Sequence, residues 1–167
     1  APEFAGMKQI PAGSFTMGSP VTEPYHLADE EEHQVEIGQD YYVQTTEVTQ
    51  AQWEAVMGSN PSFFQGGQLA VGESGANRPV EQVSWDDVQL FLATLNALDP
   101  GATYALPTEA QWEHACRAGT TTAFSYGDSE ADLGDYAWFL HSSNTGTGYK
   151  THPVGEKRPN PWGLHDV

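Results

Sequence analysis

Three stretches of the chain carry apolar residues at helical spacing directly after a capping signal. The clearest is LPTEAQWEHACRAG, Leu106 to Gly119, where Thr108 and Gln111 form a capping box that supplies partners for two N–H groups at the helix start. Trp112, Ala115 and Cys116 then recur on one face and Glu109, Glu113 and Arg117 fall largely outside it, with Gly119 as the expected stop. Thr49 and Gln52 open a second helix, stapled by Val48 and Trp53 and ending near Gly58, before the turn signal Asn60-Pro61. Ser84 and Asp87 open a third, stapled by Val83 and Val88, whose apolar face is Val88, Phe91, Leu92 and Leu95. The phrases TQAQWE at Thr49 and TEAQWE at Thr108 agree at five of six positions, an echo that shared capping chemistry explains without a repeat architecture.

Elsewhere the apolar positions alternate. In Lys8 to Met17, Ile10, Phe15 and Met17 flank Pro-Ala-Gly and predict a short hairpin. Val35 with Ile37, then Tyr41, Val43 and Thr45, predict two strands joined by Gly38, Gln39 and Asp40. Gly18 to Glu32 reads as a loop, and so does Ser59 to Asn77, with Phe63 and Phe64 as its anchors. After Gly119 no helical period survives, and Phe124, Tyr126, Tyr136, Trp138, Phe139 and Trp162 are expected to staple irregular structure. The pattern therefore predicts a mixed, irregular α+β fold with short strands, about three helices and long loops.

Composition narrows the function. The 167 residues suit one domain. Six Lys and Arg against 23 Asp and Glu give a formal charge of −17, which repels phosphate backbones, so no nucleic-acid partner is expected. No apolar run approaches the roughly 20 residues of a membrane span. The acidic run Asp29 to Glu32 has the ligand type that calcium takes, but its spacing matches no EF-hand, and a solvated loop is the favoured reading. None of the six histidines pairs with another at the i, i+4 spacing of a helical metal site, and there is no nucleophile elbow, phosphate loop or dinucleotide fingerprint. Cys116, the sole cysteine, sits on an apolar helix face and is expected to be an inert thiol or one half of a structural disulfide. Aromatic rings beside short polar side chains either stack a sugar or peptide or fill cavities. On the first reading Trp138, Asn144, Trp162 and His165 are the candidate ligand-binding residues.

Five phrases in order add a resemblance: IPAGSFTMGS from Ile10, EVTQAQWEAVMGSNPS from Glu47, RPVEQVSWDDVQLFLATLN from Arg78, LPTEAQWEHACRAGTT from Leu106 and HPVGEKRPNPWGLHDV from His152. Together the sequence resembles the formylglycine-generating enzyme, or sulfatase-modifying-factor, domain family. The resemblance implies a fold similar to a C-type lectin. It also implies chemistry in which name-giving members oxidise a sulfatase cysteine to formylglycine with O₂ at copper held by two cysteines. Relatives include iron enzymes of ergothioneine synthesis, kinase-attached domains and ligand-binding proteins with a variable surface. Copper or iron, and calcium, are thus the cofactors that the resemblance brings.

In that family a phrase like GLYDM leads into GNVWEW, an RGGSW-type phrase and the cysteine pair, whereas this sequence reads GLHDV at its end, and Cys116 matches a scaffold position. Where the family often has Asn before an aromatic as a calcium position, Tyr136, Ala137 and Trp138 stand. The expectation is a leader or cloning remnant at residues 1–6 and the N-terminal portion of one such domain at 7–167, its C-terminal part absent. Such a portion is not catalytic by itself. Its helix faces at Trp53, Val88 and Trp112 call for a complementary polypeptide segment to cover them. The alternatives are a lectin-like module for a peptide or small-molecule ligand, or an accessory domain of a larger enzyme.

Overall fold

A computed structural model describes residues 6–23, 26–139 and 150–167. Its strands are Met7–Ile10 (β1), Gly13–Met17 (β2), His33–Ile37 (β3) and Tyr41–Gln44 (β4). They do not form consecutive hairpins. β1 pairs antiparallel with β4, Ile10 opposite Tyr41, and β2 pairs antiparallel with β3, Gly13 opposite Ile37. The hairpin expected at Pro-Ala-Gly is therefore replaced by two nested ladders. At the join, Pro11 and Ala12 oppose Gly38, Gln39 and Asp40, so one side carries an extra residue, as in a bulge. Asp40 fastens this break by accepting the Ala12 N–H at 2.8 Å and the Gln9 Nε2 at 2.6 Å. Alternation locates strands but leaves their partners open, because pairing is chosen by surfaces distant in sequence.

The helices follow their caps. Gln50–Met57 (α1), Trp85–Leu98 (α2) and Glu109–Arg117 (α3) each begin with the capping box read from the sequence, on Thr49, Ser84 and Thr108. Gly58, at φ 74°, closes α1. α3 ends one residue earlier than expected, with Ala118 in the left-handed region at φ 50° and Gly119 following at φ 84°. A fourth helix, the single turn Leu133–Tyr136 (α4), raises the number above the expected three and is too short to leave a period.

Apolar side chains gather into two cores. Trp53, Val56, Phe91 and Leu95 join α1 to α2, with the rings of Trp53 and Phe91 stacked at 4.8 Å. Ile10, Ala115 and Leu164 join β1, α3 and the C-terminal segment, with Tyr41, Val43 and Trp162 around them. Asn160 fastens that segment: its Nδ2 donates to the carbonyls of Ala115 and Cys116, while its Oδ1 accepts the N–H groups of Trp162 and Leu164. The face of α3 differs from expectation. Ala115 and His114 are buried, but Trp112 is 51% exposed, because the strands contact the flank of α3 that carries His114 and Ala115.

Polar contacts, more than Phe63 and Phe64, hold the 59–77 loop. Phe63 is half exposed, whereas buried Gln50 donates to the Phe64 carbonyl and accepts from Asn60. Buried Arg78 donates to the carbonyls of Ser74 and Thr151 and to Glu73 at 3.1 Å, tying the loop to the C-terminal segment.

Candidate functional site

Between the two cores runs a groove of about 960 Å³. Trp53, Val88, Phe91 and Leu95 reach it from the first core, and Tyr41, Val43, Ala115 and Leu164 from the second. The segment Ala102 to Pro107, which belongs to no helix or strand, also lines it, as does Trp112, and Leu106 and Trp112 are each about half exposed. All three positions whose faces were expected to need cover, Trp53, Val88 and Trp112, line this groove.

β4 lines the groove as well. All four of its residues, Tyr41 to Gln44, line the groove, although successive strand side chains point to opposite faces. That is possible when the groove meets the strand edge-on. Among the described residues β4 has β1 on one side and no strand on the other. Its outward N–H and C=O groups are thus those of a free sheet edge.

Charge enters at one end only, where Glu47, His165 and Asp166 line the groove, and no Lys or Arg does. Glu47 keeps contact with solvent, yet the wall around it and the nearby Asp166 carboxylate push its carboxyl above the ordinary range. Asp166 has a positive φ of 54°, its Oδ1 accepts the Trp138 N–H at 3.1 Å, and its Oδ2 is buried without a hydrogen-bond partner.

Trp138 and His165, two of the candidate ligand residues, are joined here. Trp138 stacks on His152 at 3.6 Å, Lys157 lies 3.8 Å from the Trp138 ring centre, and the Lys157 carbonyl hydrogen-bonds His165 Nδ1 at 2.8 Å. Trp162 lies elsewhere, edge-on to His114 in the second core. Asn144 lies outside the described residues.

Other constellations resolve into structural roles. Ser19 Oγ donates to Glu30 Oε2 at 2.8 Å and lies 2.7 Å from His26 Nδ1. The single hydroxyl proton goes to the carboxylate, so the imidazole donates to the serine and is not its base. The contact closes the loop after Gly18, where a Cβ would meet the Glu30 carbonyl at 2.6 Å and φ is 99°. α3 grips the same point: Glu113 accepts the Gly18 N–H, and Arg117, paired with Glu113 at 2.7 Å, donates to the Gly18 carbonyl. Cys116 is a free thiol that burial pushes upward from its ordinary pKa. Among the described residues no three His, Cys, Asp or Glu are grouped to hold a metal ion, and no helix is long and apolar enough to cross a membrane.

This is an irregular α+β scaffold of short strands and capped helices organised around an open apolar groove. The profile of the sulfatase-modifying factor enzyme 1-like domain matches residues 1–167, and the chain belongs to that FGE-sulfatase family. Among solved structures it is similar to Treponema denticola variable protein 1, with 32% identity and a TM-score of 0.78 over 95% of this chain and 68% of that one. It is likewise similar to PvdO from Pseudomonas aeruginosa, at 25% identity and a TM-score of 0.79, over 98% of this chain and 67% of that one. Among curated relatives it is 29% identical to the chaperone protein LppX of Paenibacillus barcinonensis over 77% of this chain, and 34% identical to the formylglycine-generating enzyme of Mycobacterium tuberculosis over 55%. The matches span 59% of LppX and 31% of the Mycobacterium tuberculosis enzyme.

Proposed function

We propose that this chain acts as a polypeptide-binding scaffold of the FGE-sulfatase family and is not catalytic by itself. The observation that carries this reading is the open groove between the two cores, whose walls are side chains of both. A segment seated there joins two small cores into one and covers apolar surface that otherwise meets water. It is the complementary segment that the uncovered helix faces call for, whether it belongs to the same polypeptide or to another.

Oxidation of a target cysteine to formylglycine, the family activity named among the relatives, fits this chain less well. Copper held by two thiolates needs two cysteines, and the chain has Cys116 alone, half-buried and raised in pKa. The donor set does not match that metal site. Of the candidate ligand residues, Trp138 and His165 adjoin the acidic end of the groove and are proposed to meet the end of its occupant.

Two measurements test the proposal together. Mass spectrometry of a sulfatase-type cysteine peptide, incubated with the chain, copper and O₂, is expected to show no conversion of cysteine to formylglycine. Titration calorimetry with extended apolar peptides is expected to show saturable binding that Trp112→Ala weakens. Conversion of the cysteine, or no binding of any peptide, would overturn the reading.

A further inference from the structure

Whatever the groove holds, we infer that this fold depends on dissolved salt. Monovalent cations gathered around carboxylates that the protein leaves unpaired supply stability that its own Lys and Arg do not, and the chain loosens when those cations are diluted.

The basic side chains are already committed. Of the six, Arg78 and Lys150 share Glu73, Arg117 pairs with Glu113, and Arg158 pairs with Asp135. Lys157 donates to the Gly134 carbonyl and lies over the Trp138 ring. Lys8, exposed on β1, is in no ion pair among the described residues. On the other side of the balance, Asp29, Glu31, Glu32, Glu36, Glu54 and Asp86 are exposed and meet no Lys, Arg or His within ion-pair distance among the described residues. Folding draws the charges of a −17 chain together, and their mutual repulsion opposes the compact state.

Placement at two helix ends adds to the repulsion. The C-terminal end of a helix carries partial negative charge and favours a cation. Neither α1 nor α2 has a basic residue in its last turn. Glu54 begins the last turn of α1 instead, and Asp99, although it accepts the Tyr104 hydroxyl, stands at the C-cap of α2.

The compensation is diffuse. The unpaired carboxylates are spread over a loop, a strand and two helices, and among the described residues no three His, Cys, Asp or Glu are grouped to hold a metal ion. An ion atmosphere answers such a distribution, and it tightens as salt rises: the screening length falls from about 30 Å at 0.01 M to about 3 Å at 1 M. Close neighbours such as Glu31 and Glu32 are therefore screened fully only at the upper end. A surface built from ion pairs behaves in the opposite way, because salt weakens them.

Urea unfolding followed by circular dichroism at about 0.01, 0.1 and 1 M KCl tests this. The wild-type midpoint is expected to rise at each step, by at least about 1 M urea in all. Glu31→Lys, Glu32→Lys, Glu36→Lys and Glu54→Lys, made together, change the formal charge from −17 to −9, each substitution adding two charges. That variant is expected to outlast wild type at the lowest salt and to gain about half as much from KCl, or less. The same four residues changed to Gln, at −13, should fall between, and they carry the comparison if the Lys variant does not fold.

Midpoints that stay flat or fall with KCl overturn the inference. An equal rise in wild type and variants also overturns it, because that is the general effect of salt on apolar burial and owes nothing to charge. A wild-type chain with no cooperative transition at any KCl concentration does the same, whereas one that folds only above a threshold of salt supports it.

Discussion

The rings of His114 and Trp162 meet edge to face with centroids 4.9 Å apart, and this contact seals the second core between α3 and the C-terminal segment. Trp162 is half-buried, and Asn160 fixes its backbone from two residues away. Trp162→Ala is expected to lower stability by about 3 kcal/mol, the low end for truncating a buried aromatic. Urea unfolding monitored by circular dichroism checks this; a loss well under 1 kcal/mol contradicts the packing described.

The same histidine makes stability depend on pH. His114 is 5% exposed, lies between Phe15, Tyr41 and Trp162, and its Nδ1 is buried without a hydrogen-bond partner. The Tyr41 hydroxyl donates to the Gln111 carbonyl at 2.5 Å, and burial pushes that phenol up to about 12, so it stays protonated. Burial lowers the His114 pKa below its ordinary 6.5, so the unfolded chain takes up the proton first as pH falls. Stability is therefore expected to hold above about pH 6.5 and to decline as pH drops below it. The lowered carboxyls of Glu73 and Asp87 act later, their contribution fading as pH falls through their folded values below 4.5 and 3.8. Urea midpoints at pH 7.5, 6 and 5 should separate wild type from His114→Phe; parallel curves would remove His114 as the cause.

At the end of α3 an alanine occupies a conformation suited to glycine. Ala118 has φ 50° and ψ 39°, where an L side chain costs about 1–2 kcal/mol, but its methyl is buried at 6% exposure and contributes about 0.8 kcal/mol. With the added unfolded-state entropy of glycine, Ala118→Gly is expected to leave stability within about 1 kcal/mol of wild type, the strain relief offsetting the lost methyl. Gly119→Ala, at φ 84° with nothing within 4 Å of the new Cβ, should cost about 1 kcal/mol through the backbone alone. Differential thermal melts decide the signs.

Arg78 should matter more than its place before a loop-to-helix connection suggests. Its side chain is buried and serves two carbonyls and Glu73, which Lys150 also meets at 2.8 Å. Arg78→Ala leaves the Ser74 and Thr151 carbonyls without this donor and is expected to cost about 2–3 kcal/mol, discounted because Glu73 keeps water and Lys150. Limited proteolysis should then cut first within residues 59–77, whereas cleavage confined to the termini would count against the clasp.

Cys116 is expected to react slowly. Burial first, and Glu113 to a smaller degree, raise its thiol above the ordinary 9.0, so little thiolate exists near neutrality. Iodoacetamide at pH 7.5 should alkylate the folded chain at least about tenfold more slowly than the urea-unfolded chain. Equal rates would mean that the thiol is open.

The capping chemistry was the most legible part of the sequence. Thr49, Ser84 and Thr108 each satisfy helix-start N–H groups using residues three positions away, so nothing distant is needed to read them. The strands were legible as strands but not as pairs, because Pro11-Ala12-Gly13 carries turn residues that serve a bulge held by Asp40, 28 residues beyond Ala12. Trp112, half exposed while Ala115 on the same face is buried, shows that helical spacing identifies an apolar face but not which of its flanks meets a neighbour. Gln50 and Asn160 carried no signal, and Asn60 only that of a turn before Pro61. Their importance comes from backbone groups they meet across folded space.

The nested ladders also dictate an order of assembly. Met17 opposite His33 closes the shortest span, and each further pair outward to Met7 opposite Gln44 adds little chain to close once the preceding one has formed. The ribbon can zip from its inner end, with the bulge at Asp40 as the step between its halves. Substitutions at Phe15 or Val35 should accordingly slow folding, while those at Lys8 or Val43 should mainly hasten unfolding. Commitment to the fold thus falls to the inner ladder, whereas β4, whose outer edge lines the groove, is among the last elements to settle.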